Sequence, residues 1–361
     1  MHVRIVNSGA SGCDYHRVFE PVRAIQESGA DITVAIDRGI ATTVRPPAAG
    51  GEAEVCAVDA QGADVVVLQL PKSVQMLQTL RALQAQGVAV VVEADDLLSA
   101  LPYGHNAHGG LVLSGMARLL QQCALEADFV TTTTPAILAE YAPHGRGAVV
   151  PNAIPRRLAE LPPAYERTPD VVHVGWTGSV PKHPYDLQEM GSGLQQALER
   201  TRGLSRFVIL GQKFDARERL RLPEEPIEVP WMNDVDDYIS GIGELFDVGL
   251  APLRIDRFNT AKSWLKPLEY AARGVFCVRA RTSEYERLGL GMPARSPKDW
   301  AKWISVAVTD ADRRREAAVA ARERVLAGHL TEHTAERWLA AWRSGLENRA
   351  RDRRTASLTR A

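Results

Sequence analysis

Short, uninterrupted apolar runs recur along the first part of the chain: VRIVN (3–7), ITVAI (32–36), DVVVLQL (64–70), VAVVVEA (88–94), DFVTTT (128–133) and AVVPN (148–152). Between them, over 14–28, 73–86, 111–126 and 135–142, apolar residues recur every three or four positions, the period of an amphipathic helix. Continuous Val/Ile-rich runs are what strands buried on both faces look like, and strand–helix alternation of this kind builds a doubly wound parallel sheet. The pattern pauses at PNAIPRRLAELPPAYERTPD (151–170), whose five prolines and lack of period mark a linker. It resumes with VVHVG (171–175), RFVILG (206–211), IEVPWM (227–232), DVGLAPL (247–253) and VFCVRA (275–280). Helices are expected there over 185–202, 234–246, 264–273, 297–309, 311–327 and 333–350. The fold class expected is α/β, with two Rossmann-like doubly wound domains facing a cleft. The expected boundaries are 1–152 for the first domain, 153–170 for the linker and 171–332 for the second. A helix over 333–350 crosses back to the first domain, and 351–361 forms a basic disordered tail.

Length supports this division, since 361 residues suggest two domains more readily than one. A composition of 45% hydrophobic and 24% charged residues suffices for a sizeable core, and a net charge of -1 excludes a polycation. The last stretch departs from that balance. From Arg343 to Ala361 six arginines face only Glu347 and Asp352. Such a run is commonly a solvated, frayed end, and the alternative is an anchor for DNA or a lipid surface. Cys13, Cys56, Cys123 and Cys277 lie far apart, so neither a disulfide framework nor a zinc knuckle is expected. The chain begins directly with a strand pattern, and no run approaches the ~18 apolar residues of a membrane span. A cytoplasmic protein is expected.

Ligands of such sheets bind beyond the carboxyl ends of the strands, so the segments that follow strands hold the candidate chemistry. NSGASGCDYHRVFEP (7–21) places Gly9 and Gly12 in a turn and opens a helix at Asp14. It lacks the spaced glycines of the dinucleotide fingerprint, which argues against a nicotinamide enzyme. A capped helix explains the turn. Tyr15, His16 and Arg17 in the first helical turn are candidates to touch a substrate. In EADDLLSALPYGHNAH (93–108), Asp95 and Asp96 are either an Asx-turn pair or groups that bond acceptor hydroxyls. His105 and His108 in the loop beyond are read as mobile groups near the cleft, and no third residue completes a metal site. Thr131–Thr134 are read as structural, and Asn152 as fixing the turn that ends the first domain.

The second domain carries stronger signals. VVHVGWTGSVPKHPYDLQEM (171–190) reads as strand, glycine loop and helix. Gly175, Gly178 and Ser179 let backbone amides face a ligand, and Lys182 and His183 sit beside them, as a diphosphate cradle would require. An ordinary strand-to-helix corner explains one of these glycines better than two. VPWMND (229–234) ends another strand, where Trp231, beside Met232, is either core or an edge for a flat base. In DRFNTAKSWLKPLEYAARGV (256–275), Pro267 has to lie near a helix start, Ser263 is the expected N-cap and Gly274 stops the helix. Leu265, Leu268 and Ala272 face the core, while Lys266, Glu269 and Arg273 share another face. Arg257, Asn259 and Lys262 crowd the helix start as an anion site would.

These residues resemble a known family. DVGLAPL followed by FNTAKSWLKPLEYAARGV is similar to the nucleotide-binding region of GT-B fold glycosyltransferases, close to the retaining family 4. VGWTGS with its following His and DL is similar to the opening of their second domain, and VVPNAI to their linker entry. DYHRVFEPVRAI and the paired aspartates resemble variants in bacterial and phage members. The resemblance implies that the second domain binds a nucleotide-sugar donor and the first an acceptor, that Glu269 holds the ribose, and that Lys262 meets the diphosphate with the glycines beside it. It implies no metal or other cofactor. The family often carries a further glutamate eight positions before the ribose-binding one. Here that position is Ala261, so Asn259 or loop amides would replace it at the donor sugar. Lys262, Glu269, His16, Asp95 and Asp96 are the catalytic candidates. Gly178, Ser179, Lys182, His183, Trp231, Met232, Asn259, Ala261, Lys262, Ser263 and Glu269 form the expected donor site, and Gly12, Tyr15, His16, Arg17 and His105 the acceptor side.

Two rival functions fit the same fold: a sugar-nucleotide 2-epimerase and a non-catalytic protein that senses a sugar nucleotide. The acceptor could be a protein, a glycan or a modified DNA base, and the basic tail permits peripheral contact with DNA or membrane.

Overall fold

The computed structural model describes residues 1–46, 53–212 and 214–360. Two compact units emerge. One comprises Met1–Leu101, Ala107–Pro151 and Glu332–Ala361, and the other Pro102–Asn106 with Asn152–Thr331.

The first unit holds the strands β1 (His2–Val6), β2 (Thr33–Asp37), β3 (Thr42–Arg45), β4 (Glu54–Val58), β5 (Val65–Gln69), β6 (Ala89–Ala94), β7 (Phe129–Thr132) and β8 (Gly147–Val149). Six of them form a parallel sheet in the order β2-β1-β5-β6-β7-β8. β3 and β4 pair separately as an antiparallel ribbon, which the hydrophobic pattern does not announce. Most of their positions are exposed, and only Val55 and Val58 of β4 are buried, where β5 has a continuous buried run of valines. Every residue of β5 and β6 is buried, which is why these strands read as unbroken apolar runs.

The helix Ala335–Arg360 belongs to this unit. Its Trp338, Leu339 and Trp342 enter the core with Val3, Ile5, Ile25, Val65 and Val91. The expected disordered tail over 351–361 is corrected as far as Arg360, because the helix does not stop at 350. Arginine and alanine are good helix formers. Arg349 pairs with Asp128, and Asp352 takes a two-pronged ion pair from Arg146, so both sides of residue 350 are pinned. Ala361 lies outside the described residues.

The second unit holds β9 (Val172–Gly178), β10 (Ser205–Gly211), β11 (Ile227–Pro230), β12 (Val248–Ala251), β13 (Phe276–Arg279) and β14 (Met292–Pro293), parallel in the order β11-β10-β9-β12-β13-β14. β9 runs to Gly178, three residues beyond the expected end, because its register with β10 continues to the pair Gly178–Gly211. The linker is tied down as well. Arg273 donates to the carbonyls of Leu158 and Pro162, and Arg322 to that of Ala159.

In each sheet the strand order reverses once, between β1 and β5 in the first and between β9 and β12 in the second. Connections leave such a point in opposite directions, so a crevice opens beyond the carboxyl ends there. Among the described residues no helix is long and apolar enough to cross a membrane.

Candidate functional site

The reversal point of the second sheet is where the sequence signals gather. β9 ends at Gly178, whose φ of +155° suits few other residues and where a Cβ would come within 2.7 Å of the Trp176 ring. Ser179 follows, its hydroxyl donating to Gln212 (2.8 Å), and the chain turns back through amide bonds from Lys182 and His183 to the Ser179 carbonyl. Gly175 has another purpose. It lies within β9, and a Cβ there would strike the Phe246 ring at 2.1 Å, so it serves packing rather than a ligand loop.

The hub of the site is Asp186, a residue that sequence reasoning placed only as half of the DL pair. One carboxylate oxygen takes the ring Nδ1 of His183 (2.7 Å). The other accepts from the Asn259 carboxamide (2.8 Å) and the Arg254 amide (3.0 Å). Burial opposes its charge, but bonds from His183 and Arg254 outweigh this and hold the carboxyl below the usual aspartate range. Burial also pushes the His183 pKa down, with Lys262 and Lys266 adding to the shift. A neutral His183 whose Nδ1–H is donated to Asp186 presents an Nε2 lone pair. Asn259, expected with loop amides at the donor sugar, is buried, and its nitrogen is committed to Asp186. Ala261 is buried too.

The stretch 256–275 differs in detail from its reading. Residues Arg257–Ala261 form a short helix capped by Asp256, whose carboxylate accepts from the Asn259 amide. Lys262 ends that helix, and the next one, Leu265–Ala272, begins after Trp264 without a side-chain cap. Ser263 is therefore not the N-cap. Its hydroxyl instead accepts from Asn152 (2.9 Å), while the Trp264 indole donates to the Asn152 carbonyl (2.9 Å). Gly274, at φ +66°, ends the helix as expected. The face carrying Lys266, Glu269 and Arg273 is not a solvated one. Glu269 is 3% exposed and Arg273 2%. Lys266 reaches the Thr177 carbonyl at the end of β9 and lies over the Trp176 ring (5.7 Å). Burial pulls its ammonium below the usual lysine range, and Glu269 opposes that. Lys262 stands over Phe258 at 4.7 Å.

Glu269 accepts from the Tyr238 hydroxyl (3.2 Å), and burial pushes its carboxyl up to about 7. Tyr238 in turn packs on Trp231, ring centroids 5.5 Å apart, and Trp231 remains 46% exposed. A half-exposed aromatic rim thus leads inward to a buried carboxylate. Met232 lies against Gly241, on the same helix as Tyr238. His105, expected on the acceptor side, clusters with the second unit. Its ring meets Phe258 at 5.9 Å, and the Asn106 amide holds the Pro181 carbonyl (3.0 Å).

The first unit gathers a different set at its own reversal point. The helix opens at Ser11, before the expected Asp14, and widens into a π-helical turn over Tyr15–Phe19. Asp14 accepts from Asn7 and Ser8 (2.8 and 2.9 Å). Gly12 leaves open space where a side chain would stand. His16 is buried, its ring edge-on to Tyr15 at 4.9 Å. Arg17 corrects the sequence reading. It is 2% exposed, paired with Glu93 (2.6 Å), bonded to the Val150 carbonyl (2.7 Å) and stacked on Trp338 (4.6 Å), so it ties the core together. Burial, and then Asp96 beside it, push the Asp95 carboxyl up to about 6.

Two parallel sheets with this strand order define the GT-B fold of glycosyltransferases, and solved structures agree. Anabaena HepE in complex with UDP and glucose is similar over 95% of this chain and 100% of its own, at 14% identity and a TM-score of 0.60. A UDP-forming α,α-trehalose-phosphate synthase from Burkholderia xenovorans, in complex with glucose-6-phosphate, is similar over 77% of this chain and 74% of its own, at 15% identity and a TM-score of 0.55. The family described as glycosyl transferase-like matches residues 192–340, which include the stretch 256–275. No curated protein sequence matches the chain.

Proposed function

We propose that this chain is a glycosyltransferase of the retaining family-4 type that moves a sugar from a nucleotide-diphosphate donor to an acceptor hydroxyl, without a metal ion, in a bacterial or phage-infected cytoplasm. One observation carries the reading. Lys266 reaches the Thr177 carbonyl at the crevice end of β9, beside the glycine turn at Gly178 where the amides of Lys182 and His183 fold back onto Ser179. Cations and main-chain amides at such a place suit a pyrophosphate.

In this reading Lys266 and Lys262 meet the diphosphate with the amides around Ser179, and Lys182 adds charge from the rim. Glu269 accepts from the ribose hydroxyls, and the Trp231–Tyr238 pair offers a face to the base. Neutral His183, fixed by Asp186, accepts from a hydroxyl of the donor sugar. As the C1–O bond breaks, the bonding pair moves to the β-phosphate oxygen, and fixed positive charge stabilises it there better than water could. Asp95, Asp96 and His16 in the first unit position the acceptor. The family match over 192–340 and the likeness to HepE, whose structure holds UDP and glucose, support the reading.

The test is a thermal-shift panel of UDP, GDP, dTDP and ADP sugars. A donor present at about 100 times its dissociation constant adds ~2.7 kcal/mol of stability. A panel without any shift would remove the proposal.

A further inference from the structure

The first sheet's reversal point holds polar atoms that the fold itself does not use. Asn7 follows β1 directly and Gln69 is the last residue of β5, so the two flank the β1/β5 reversal. Asn7 is 9% exposed and Gln69 4%. Each spends one end of its carboxamide inside the protein. The Asn7 nitrogen donates to Asp14 (2.8 Å), and the Gln69 oxygen accepts from the Ser8 amide (2.8 Å). The other ends, Asn7 Oδ1 and Gln69 Nε2, are buried without a hydrogen-bond partner, as is Asp95 Oδ1 beyond β6. A buried polar group left unpaired costs about 1–3 kcal/mol, so three at one sheet edge call for an explanation. The backbone adds another mark. Leu70, next to Gln69, has φ +49°, a left-handed conformation rare for leucine.

The chemistry of the set is mixed. Asn7 Oδ1 accepts, Gln69 Nε2 donates and the Asp95 carboxylate accepts. A hydroxyl, which donates and accepts at once, satisfies such a set, and adjacent hydroxyls satisfy it together. A phosphate, which at neutral pH mainly accepts, does not. The local charge points the same way. Asp14, Glu93, Asp95 and Asp96 lie at this edge, and the Arg17 guanidinium among them is already paired with Glu93. A phosphorylated or nucleic-acid acceptor would meet this negative field.

We propose that the β1/β5 edge binds a neutral, polyhydroxylated acceptor, a carbohydrate rather than a phosphate-bearing molecule, with Asn7 and Gln69 as the acceptor–donor pair that reads its hydroxyls. This rests on the glycosyl-transfer reading and narrows it from protein, glycan or DNA to glycan. Asn7 and Gln69 were not among the candidates that the sequence offered.

The test uses the full-length chain. Donor binding is first established by thermal shift. Nucleoside diphosphate release is then followed with glucose, galactose and maltose, with glucose 6-phosphate, and with a single-stranded DNA oligonucleotide. A neutral saccharide is expected to be the preferred acceptor. Gln69→Met and Asn7→Ala are each expected to raise its KM about tenfold and to leave the donor Kd within twofold. Preference for the phosphorylated sugar or the DNA overturns the proposal, and so does an unchanged KM in both variants. The wild-type preference between glucose and glucose 6-phosphate needs no variant and stands if either substitution prevents folding. If no nucleotide sugar binds, the transferase reading falls separately. Saturation-transfer NMR with the same saccharides then decides this proposal: a signal that Gln69→Met abolishes supports it, and no signal from any saccharide ends it.

Discussion

The two sheet edges are built on one plan and carry different chemistry. Each lies where a parallel strand order reverses. At the β9/β12 edge Lys262, Lys266 and a His183 that burial pushes toward neutrality stand around the bonded carboxyls of Asp186 and Glu269. At the β1/β5 edge Asn7 Oδ1, Gln69 Nε2 and Asp95 Oδ1 are unpartnered, and Arg17 is paired with Glu93. The sheet decides where a ligand can sit, and a few residues just past the strand ends decide its sign. On the proposed reading an anionic donor belongs at the second edge and an uncharged acceptor at the first.

That contrast can be broken most forcefully at Arg17. If it is core cement and not part of an acceptor site, Arg17→Ala leaves Glu93 buried and unpaired and costs about 3–5 kcal/mol, read by guanidinium denaturation. Normal stability with a raised acceptor KM would return Arg17 to the site. Next in size, Lys266→Met keeps the stem over Trp176 and removes the charge. Donor affinity should fall about 100-fold, or ~2.7 kcal/mol, by calorimetry, with stability little changed. Asp186→Asn keeps the shape but weakens the hold on His183 and Asn259. A loss of about tenfold in donor affinity is expected, smaller than that of Lys266→Met.

The acidity of Glu269 gives a gentler test. Burial holds its carboxyl at about 7 against an ordinary 4.5, so the folded state binds this proton more tightly than the unfolded chain does. Its contribution to stability is full below about 4.5 and is lost as pH rises through about 7. Donor affinity should move the other way, rising with pH across that window as the carboxylate becomes available to ribose hydroxyls. Glu269→Gln should flatten both profiles, and a wild-type donor affinity independent of pH would deny the ribose role. The smallest effect belongs to the basic end. Removing 354–361, beyond the ion pairs of Arg349 and Asp352, should change stability by no more than ~0.5 kcal/mol and leave turnover of a saccharide acceptor unaltered. Turnover that fell and lost its salt dependence would favour an anionic partner.

Most of the fold was legible because buried parallel strands leave runs such as VAVVVEA that little else produces. The β3–β4 ribbon was missed because its strands are short and mostly exposed, and only Val55 and Val58 are buried, too few to leave a continuous apolar run. Strand ends pointed to the segments where the structure gathers bonded polar side chains, yet periodicity could not tell which charges on a helix were solvated. Lys266, Glu269 and Arg273 share a face that the sequence set apart from the core, and it is held against Thr177, Tyr238 and the linker carbonyls, with Glu269 and Arg273 buried. Asp186 was passed over because its importance comes from three partners, one of them 73 residues away. Asn7 and Gln69 sat inside strand patterns, where a single amide residue carries no signal until its partners can be counted.

The most direct measurement is calorimetric titration of the wild type and of Lys266→Met with the donor found in the nucleotide-sugar panel. Saturable binding in the wild type and a loss of about two orders of magnitude in the variant would place the pyrophosphate at the β9/β12 edge. Equal affinity in the two proteins would show that the nucleotide binds elsewhere.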